Sequence, residues 1–170
     1  MGIIIRLKQL IGKIYRQKIV GVSLSLYFIS LVLPAIEQWP SDLSYGGIYG
    51  VEFLLLGWIN IAIFASDFPQ LVIREGVIQS AAILSWLANP FYWLSIFLVL
   101  LKKPISSCIS ASISLLFAFS YSLANDCYCN PDNLVPDFQF LAGYWFWLLA
   151  IIAVVYSSII LAIRNVGYNS

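Results

Sequence analysis

The sequence predicts an all-α fold: an integral membrane helical bundle with four transmembrane helices, a short re-entrant or interfacial helical segment and an N-terminal amphipathic helix. Of the 170 residues, 61% are hydrophobic and only 10% are charged, and the mean hydropathy is +0.90, outside the range of soluble domains. Four stretches lack Asp, Glu, Lys and Arg, and each is about long enough to cross a bilayer: residues 19–36, 76–101, 104–125 and 143–163. We therefore expect residues 1–170 to form one membrane domain.

Missing residue types exclude several classes of active site. The sequence contains no histidine, which removes Ser-His-Asp and Cys-His catalysis and histidine-ligated haem. It has no GxxxxGK[ST] or GxGxxG tract, so a nucleotide-binding loop has no candidate. We expect no enzymatic activity, no cofactor and no metal site. Nucleic acid is not expected as a partner either, because the basic cluster adjoins a membrane segment, where anionic lipid is nearer.

Residues 2–18 have the pattern of an amphipathic helix that lies on the membrane surface. Apolar residues recur at helical spacing, at Ile3, Leu7, Leu10 and Ile14. Five cations interrupt them: Arg6, Lys8, Lys13, Arg16 and Lys18. This composition predicts an interfacial helix attracted to anionic lipid. The alternative is a plain cytoplasmic leader that only sets the orientation of the first span, residues 19–36.

Residues 48–75 are ambiguous. Their uncharged part, 53–66, reaches only about 21 Å as a helix, short of a hydrocarbon core of about 30 Å. If they span, five crossings leave six cations inside, the five of the N-terminal helix and Arg74. If they re-enter, four crossings leave eight, because Lys102, Lys103 and Arg164 then join those five. Enrichment of Lys and Arg in cytoplasmic loops favours four spans, with both termini on the cytoplasmic side of a bacterial inner membrane.

The second span, 76–101, carries Asn89-Pro90 in its middle. Proline removes one helical donor and disfavours helical angles at the preceding residue, so we expect a kink or a break in the helix there. Pro104 is suited to the first turn of the third span, 104–125. Aromatic residues open the fourth span, 143–163, in the manner of an interfacial belt: Tyr144, Trp145 and Trp147.

The third span carries small residues at every fourth position: Ser106, Ser110, Ser114, Ala118 and Ser122. In lipid, small residues at this spacing let helices approach closely and let hydroxyl groups bond across the contact. We therefore predict a helix-packing seam along these residues, within one chain or between copies.

Two further groups of residues are candidates for chemistry. Glu52 is the acid that falls within an apolar tract, with Asn60 two turns further on. Together with the break at Asn89-Pro90 they would serve a transport pathway, unless Glu52 simply lies at headgroup depth in water. Cys127 and Cys129 would form a disulfide or a redox pair, although a single residue separates them where thiol oxidoreductases have two.

The chain resembles small, uncharacterised bacterial inner-membrane proteins. The resemblance lies in five short sequences: Leu33-Pro34-Ala35, Gly57-Trp58, Trp86 to Pro90, the basic pair at 102–103, and Gly143-Tyr144-Trp145-Phe146-Trp147-Leu148. It implies a four-span hydrophobic protein of unknown role and carries over no catalytic residue.

The function that these observations favour is that of a structural or accessory subunit in the inner membrane. It would contact the lipid bilayer, with anionic lipid at the N-terminal helix, and pack against copies of itself or another membrane protein. Two alternatives remain open. One is a homo-oligomeric transporter or channel component that uses Glu52, Asn60 and Asn89-Pro90, and the other is a thiol redox protein that uses Cys127 and Cys129.

Overall fold

A computed structural model describes residues 2–39, 48–55, 57, 75–127 and 137–166, with side chains described at 17–36, 48–55, 57, 84–120, 122 and 139–163. The described chain is mostly helical. The helices are α1 (Gly2–Val32), α2 (residues 50–55, with Gly57 also helical), α3 (Glu75–Leu100), α4 (Pro104–Cys127) and α5 (Ala142–Val166). Three strands accompany them: β1 (Pro34–Trp39), β2 (Ile48–Tyr49) and β3 (Asp137–Phe140).

The four long helices pack in the order α1, α5, α4, α3, and each runs antiparallel to the next. Two contacts for each pair give the directions. Ser23 of α1 bonds to Ala150, while Leu33, just after α1, lies against Gly143. On α4, Ser107 and Ala118 contact Ser158 and Tyr144 of α5, and Ser107 and Ser114 contact Ser95 and Ala88 of α3. The stretch between α1 and α3 therefore begins and ends at the same end of the bundle. The α1 N-terminus, the α3–α4 turn and the α5 C-terminus lie at the opposite end.

A small antiparallel sheet lies at the end of the bundle where α1 ends and α3 begins, so the prediction of an all-α fold is corrected. Its strand order is β2-β1-β3, and β1 pairs with β3 from Ile36 opposite Phe140 to Trp39 opposite Asp137. Glycines allow the backbones to meet here. A Cβ at Gly143 would lie 2.6 Å from the Leu33 carbonyl oxygen, and one at Gly50 would overlap the carbonyl oxygen of Ser30. The strands are two to six residues long, too short to leave a clear alternating pattern in the sequence.

The N-terminal region is one continuous helix rather than two elements. The prediction separates an amphipathic helix at 2–18 from a span at 19–36, whereas α1 runs from Gly2 to Val32 without interruption. It ends before Pro34, which begins β1. The end of the predicted span, residues 34–36, therefore belongs to the sheet, because proline disfavours helical angles at the residue before it.

Helix α3 continues through Asn89-Pro90, so of the kink or break predicted there the break is wrong. The helix ends in a Schellman motif, in which the amide of Lys103 donates to the Leu98 carbonyl at 2.9 Å and that of Lys102 to the Val99 carbonyl at 3.1 Å. Lys102 takes the left-handed position, with φ of 61°, where glycine is usual. Pro104 then occupies the first position of α4, where its missing amide hydrogen is not needed.

Among the described residues, one helix is long and apolar enough to cross a membrane, where the sequence predicts four. It covers Ala142–Ile163. The other apolar helical stretches are between 10 and 17 residues long: Gln17–Val32, Leu84–Leu100 and Pro104–Ser120. Each of these three stretches is bounded at one end by helical residues whose side chains are not described.

Candidate functional site

The side chain of Asn89 joins three helices. It lies on α3 and is 5% exposed. Its Oδ1 accepts a hydrogen bond from the Tyr27 hydroxyl on α1 and another from Nε1 of Trp147 on α5, both at 3.0 Å. We call these three residues the Asn89 node. Because one oxygen receives both donors, α1 and α5 are held at the same point of α3.

The amide nitrogen of Asn89 explains how α3 tolerates its proline. In a regular helix the Trp86 carbonyl would accept a bond from the amide of residue 90, four positions later. Pro90 has no amide hydrogen. Instead Nδ2 of Asn89 donates to the Trp86 carbonyl oxygen at 3.2 Å. The side chain thus supplies the donor that the neighbouring proline lacks.

A second polar contact lies beside the node, between α1, α3 and α5. Ser23 Oγ donates to the Ala150 carbonyl at 2.8 Å and lies 2.8 Å from the hydroxyl oxygen of Tyr92. Because serine has a single hydroxyl hydrogen, Tyr92 is the donor in that pair. The Tyr92 ring stacks on that of Tyr27, with centroids 4.8 Å apart and planes 6° from parallel. Stacked rings with hydrogen-bonded hydroxyl groups therefore fill the gap between α1 and α3.

Three serines of α4, which we call the serine ladder, bond to the backbone of α3: Ser107, Ser110 and Ser114. Their hydroxyl groups donate at 2.8, 2.9 and 2.7 Å to carbonyl oxygens about one helical turn apart on α3, those of Ser95, Phe91 and Ala88. Since Ser107 gives its hydrogen to α3, Ser158 on α5 is the donor in the 2.8 Å pair between their hydroxyl groups. Ser107 therefore connects α3, α4 and α5.

The predicted seam coincides with this contact only in its middle. Ser110, Ser114 and Ala118 are buried. Ser122 is half-buried, and Ser106 is exposed. The reason is geometric. A residue every four positions moves about 40° around the helix at each step, so both ends of such a row turn away from a straight contact. The face of α4 that contacts α3 follows the helical repeat of about 3.6 residues, and it includes Ser107 in place of Ser106.

A cavity of about 30 Å³ lies between the Asn89 node and the sheet. It is lined by residues of α1, β1, α2, α3 and α5: Ser30, Leu31, Ala35, Ile36, Gly50, Phe53, Leu54, Ser85, Asn89, Gly143, Tyr144 and Trp147. Its walls are therefore mainly apolar, with a few polar side chains on α1 and α3.

Glu52 serves as a helix cap. It is exposed, and its Oε2 accepts a hydrogen bond from the Tyr49 backbone amide at 3.0 Å, which is half of a capping box at the start of α2. Trp86 fastens this segment to α3, because its Nε1 donates to the Leu54 carbonyl at 2.9 Å. Asn60 lies outside the described residues. Glu52 and Asn89 thus belong to separate hydrogen-bonded groups.

The polar side chains of the described interior are mainly serines. Most of its serine hydroxyl groups donate to carbonyl oxygens or to other hydroxyl groups, and no described group of three His, Cys, Asp or Glu could hold a metal. Cys108 is a free, half-buried thiol. The side chain of Cys127, at the end of α4, and the whole of Cys129 lie outside the described residues.

Sequence reasoning missed the partners of Asn89. Trp147 and Tyr144 were expected in an interfacial belt, yet both are buried, and only Trp145 of that group is exposed. Tyr27 was not singled out. The spacing of Ser23, Tyr27 and Ser30 on α1 was a usable signal, since a polar stripe of this kind in an apolar helix marks the face turned to the interior.

Comparison with known proteins gives no family for this chain: no family model matches it, and neither a curated protein nor a solved structure is similar to it.

Proposed function

We propose that this chain is a multi-pass inner-membrane protein without catalytic chemistry, which acts as a structural or accessory subunit by packing against another membrane protein or a second copy of itself. One observation carries the proposal: among the described residues, serine hydroxyl groups lie inside, beside an apolar core, while many large apolar side chains lie on the outside. The buried polar residues are nine serines and Asn89, while large apolar side chains such as Phe28, Val32 and Leu116 are 56%, 73% and 72% exposed. Lipid is the solvent that suits this distribution.

Helix α4 shows this distribution of polar and apolar side chains most clearly. The serine ladder faces the bundle, whereas Ile105, Ile109 and Leu116 are 60%, 59% and 72% exposed. In water each such side chain would forgo roughly 1.5–3 kcal/mol of burial free energy. Hydroxyl groups on the inner face instead satisfy the requirement that polar groups in lipid bond within the protein.

Helix lengths and directions support four crossings. The apolar stretch of α5 has 22 residues and reaches about 33 Å, and α3 and α4, with 26 and 24 residues, reach about 39 and 36 Å. Because the chain leaves α1 and enters α3 at the same end of the bundle, α1 and α3 run in opposite directions, as the four-span arrangement requires. Lys102 and Lys103 then lie on the side of both termini, as the positive-inside rule requires of a cytoplasmic face.

The interior polar groups of the described residues serve mainly to hold the helices together. Among the described residues, every side-chain nitrogen or oxygen sealed within the protein has a hydrogen-bond partner. Asn89 is occupied by contacts between helices, and Glu52 by its capping bond. The surface left for recognition is the apolar exterior, which suits another membrane helix as well as lipid.

Two experiments test this proposal. For topology, Lys103→Cys is placed in a chain whose native cysteines are serine, and intact cells are treated with a membrane-impermeant thiol reagent. We expect no labelling until the membrane is opened; labelling of intact cells would overturn the orientation.

To test the packing role, the tagged full chain is crosslinked in native membranes and purified in mild detergent. A specific second chain or a homo-oligomer is expected, and a lone monomer would overturn the proposed packing role.

A further inference from the structure

The cavity beside the Asn89 node contains one polar side chain that its surroundings leave without a partner. Ser85 lines the cavity and is only 2% exposed. It makes no hydrogen bond among the described residues, although every fully sealed polar side-chain atom there has one. Its hydroxyl group is therefore not sealed by protein atoms but opens into the cavity.

Two other polar groups on the wall have capacity left. Asn89 Nδ2 carries two hydrogens, and the Trp86 carbonyl takes one of them. Ser30 Oγ donates to the Tyr27 carbonyl at 2.6 Å and keeps its acceptor lone pairs. The cavity wall thus offers a donor from Asn89, an acceptor from Ser30, and a hydroxyl group of Ser85 that can be either.

We propose that this cavity is an internal water site, in which one or two water molecules bind to Ser85, Asn89 and Ser30. The volume of about 30 Å³ exceeds the roughly 10–15 Å³ that a single water requires. A buried water normally makes two to four hydrogen bonds to groups that protein atoms leave unsatisfied, and three such groups are present. The inference concerns the interior and does not depend on the proposed function.

Solid-state NMR of the full chain in lipid bilayers tests the site, with magnetisation transferred from water to the protein. The probes are the side-chain amide of Asn89 and, as an internal reference, the backbone amide of buried Ala88, which does not line the cavity. We expect early transfer to the Asn89 amide and little to the Ala88 amide. Transfer to Asn89 no faster than to Ala88 would mean a dry cavity and overturn the proposal.

Substitution of Ser85 separates a hydrated cavity from an apolar void. Ser85→Val fills the space with methyl groups; loss of the water signal at Asn89 and a lower midpoint of thermal unfolding are expected, whereas a raised midpoint would indicate that a dry void had been filled. If Ser85→Val does not fold, Ser85→Ala carries the test: a weaker water signal supports the site and an unchanged one overturns the role of Ser85. Ser157→Ala is the control, because that hydroxyl group bonds locally to the Val154 carbonyl outside the cavity.

Discussion

Asn89 is expected to matter most to stability, and its link to Pro90 can be measured. Asn89→Ala removes three hydrogen bonds, to Tyr27, Trp147 and the Trp86 carbonyl. In membrane proteins such bonds average about 0.6 kcal/mol, and a buried group left without a partner costs about 1 kcal/mol or more. We therefore expect Asn89→Ala to lower the free energy of unfolding by about 2–3 kcal/mol.

Part of that loss should vanish when Pro90 is also replaced. In Pro90→Ala the backbone amide of residue 90 can donate to the Trp86 carbonyl, so removing the Asn89 amide no longer leaves that oxygen unpaired. We expect the cost of Asn89→Ala to fall by about 1 kcal/mol in the Pro90→Ala chain, the net value of one hydrogen bond.

Equilibrium unfolding of the four chains in mixed micelles, followed by tryptophan fluorescence, gives the double-mutant cycle. Ser157→Ala is the control, since its hydroxyl group bonds locally on α5 and should cost the same with Pro90 or Ala at position 90. An equal cost of Asn89→Ala in both backgrounds would refute the idea that the side chain replaces the missing helical donor.

Three further substitutions have expected effects on the same unfolding measurement. Lys102→Gly should stabilise the chain by about 1 kcal/mol, because φ of 61° is strained for a residue with a Cβ and free of strain for glycine. Gly143→Ala should destabilise it by about 1–3 kcal/mol, because the new methyl group would lie 2.6 and 2.8 Å from two backbone carbonyl oxygens. Ser107→Ala should cost about 1–2 kcal/mol, since the Ser158 hydroxyl group loses its acceptor and α3 loses a donor.

Each of these has a matched control nearby. Lys103→Gly should bring no gain, because Lys103 does not have a positive φ. Gly21→Ala meets nothing within 4 Å and should be neutral or slightly stabilising. Ser106→Ala is exposed and should change stability by less than about 0.5 kcal/mol. A gain from Lys103→Gly, or a loss from Gly21→Ala equal to that from Gly143→Ala, would contradict the geometric explanation.

The positions of the long helices could be predicted from the sequence because the signal is local. Stretches without charge at 76–101 and 104–125 lie over α3 and α4, and the Lys102-Lys103 pair with Pro104 marks the turn between them. The sheet could not be predicted. β1 finds its partner β3 about a hundred residues along the chain, and neither strand has an alternation that would indicate a shared register.

The sequence indicates Asn89 as a special position but not its hydrogen-bond partners in the Asn89 node. The Asn89-Pro90 pair is distinctive, but it predicts a kink or a break only because the bond that proline removes is visible in the sequence and the bond that the asparagine side chain supplies is not. Tyr27 and Trp147 could not be assigned to Asn89 because each lies about 60 residues away. The serine face was found with a repeat of four, and the true period of the helix rotates that row away from the contact at Ser106.

The serine ladder has a consequence for how this hairpin tolerates mutation. All three acceptors are main-chain oxygens of α3, which every amino acid carries, so α3 contributes the same chemistry whatever residues stand at 88, 91 and 95. The side chains that make these three hydrogen bonds therefore all belong to α4. Substitutions at positions 88, 91 and 95 of α3 should be limited mainly by size, whereas loss of the three hydroxyl groups of α4 should remove what fixes the register of the pair.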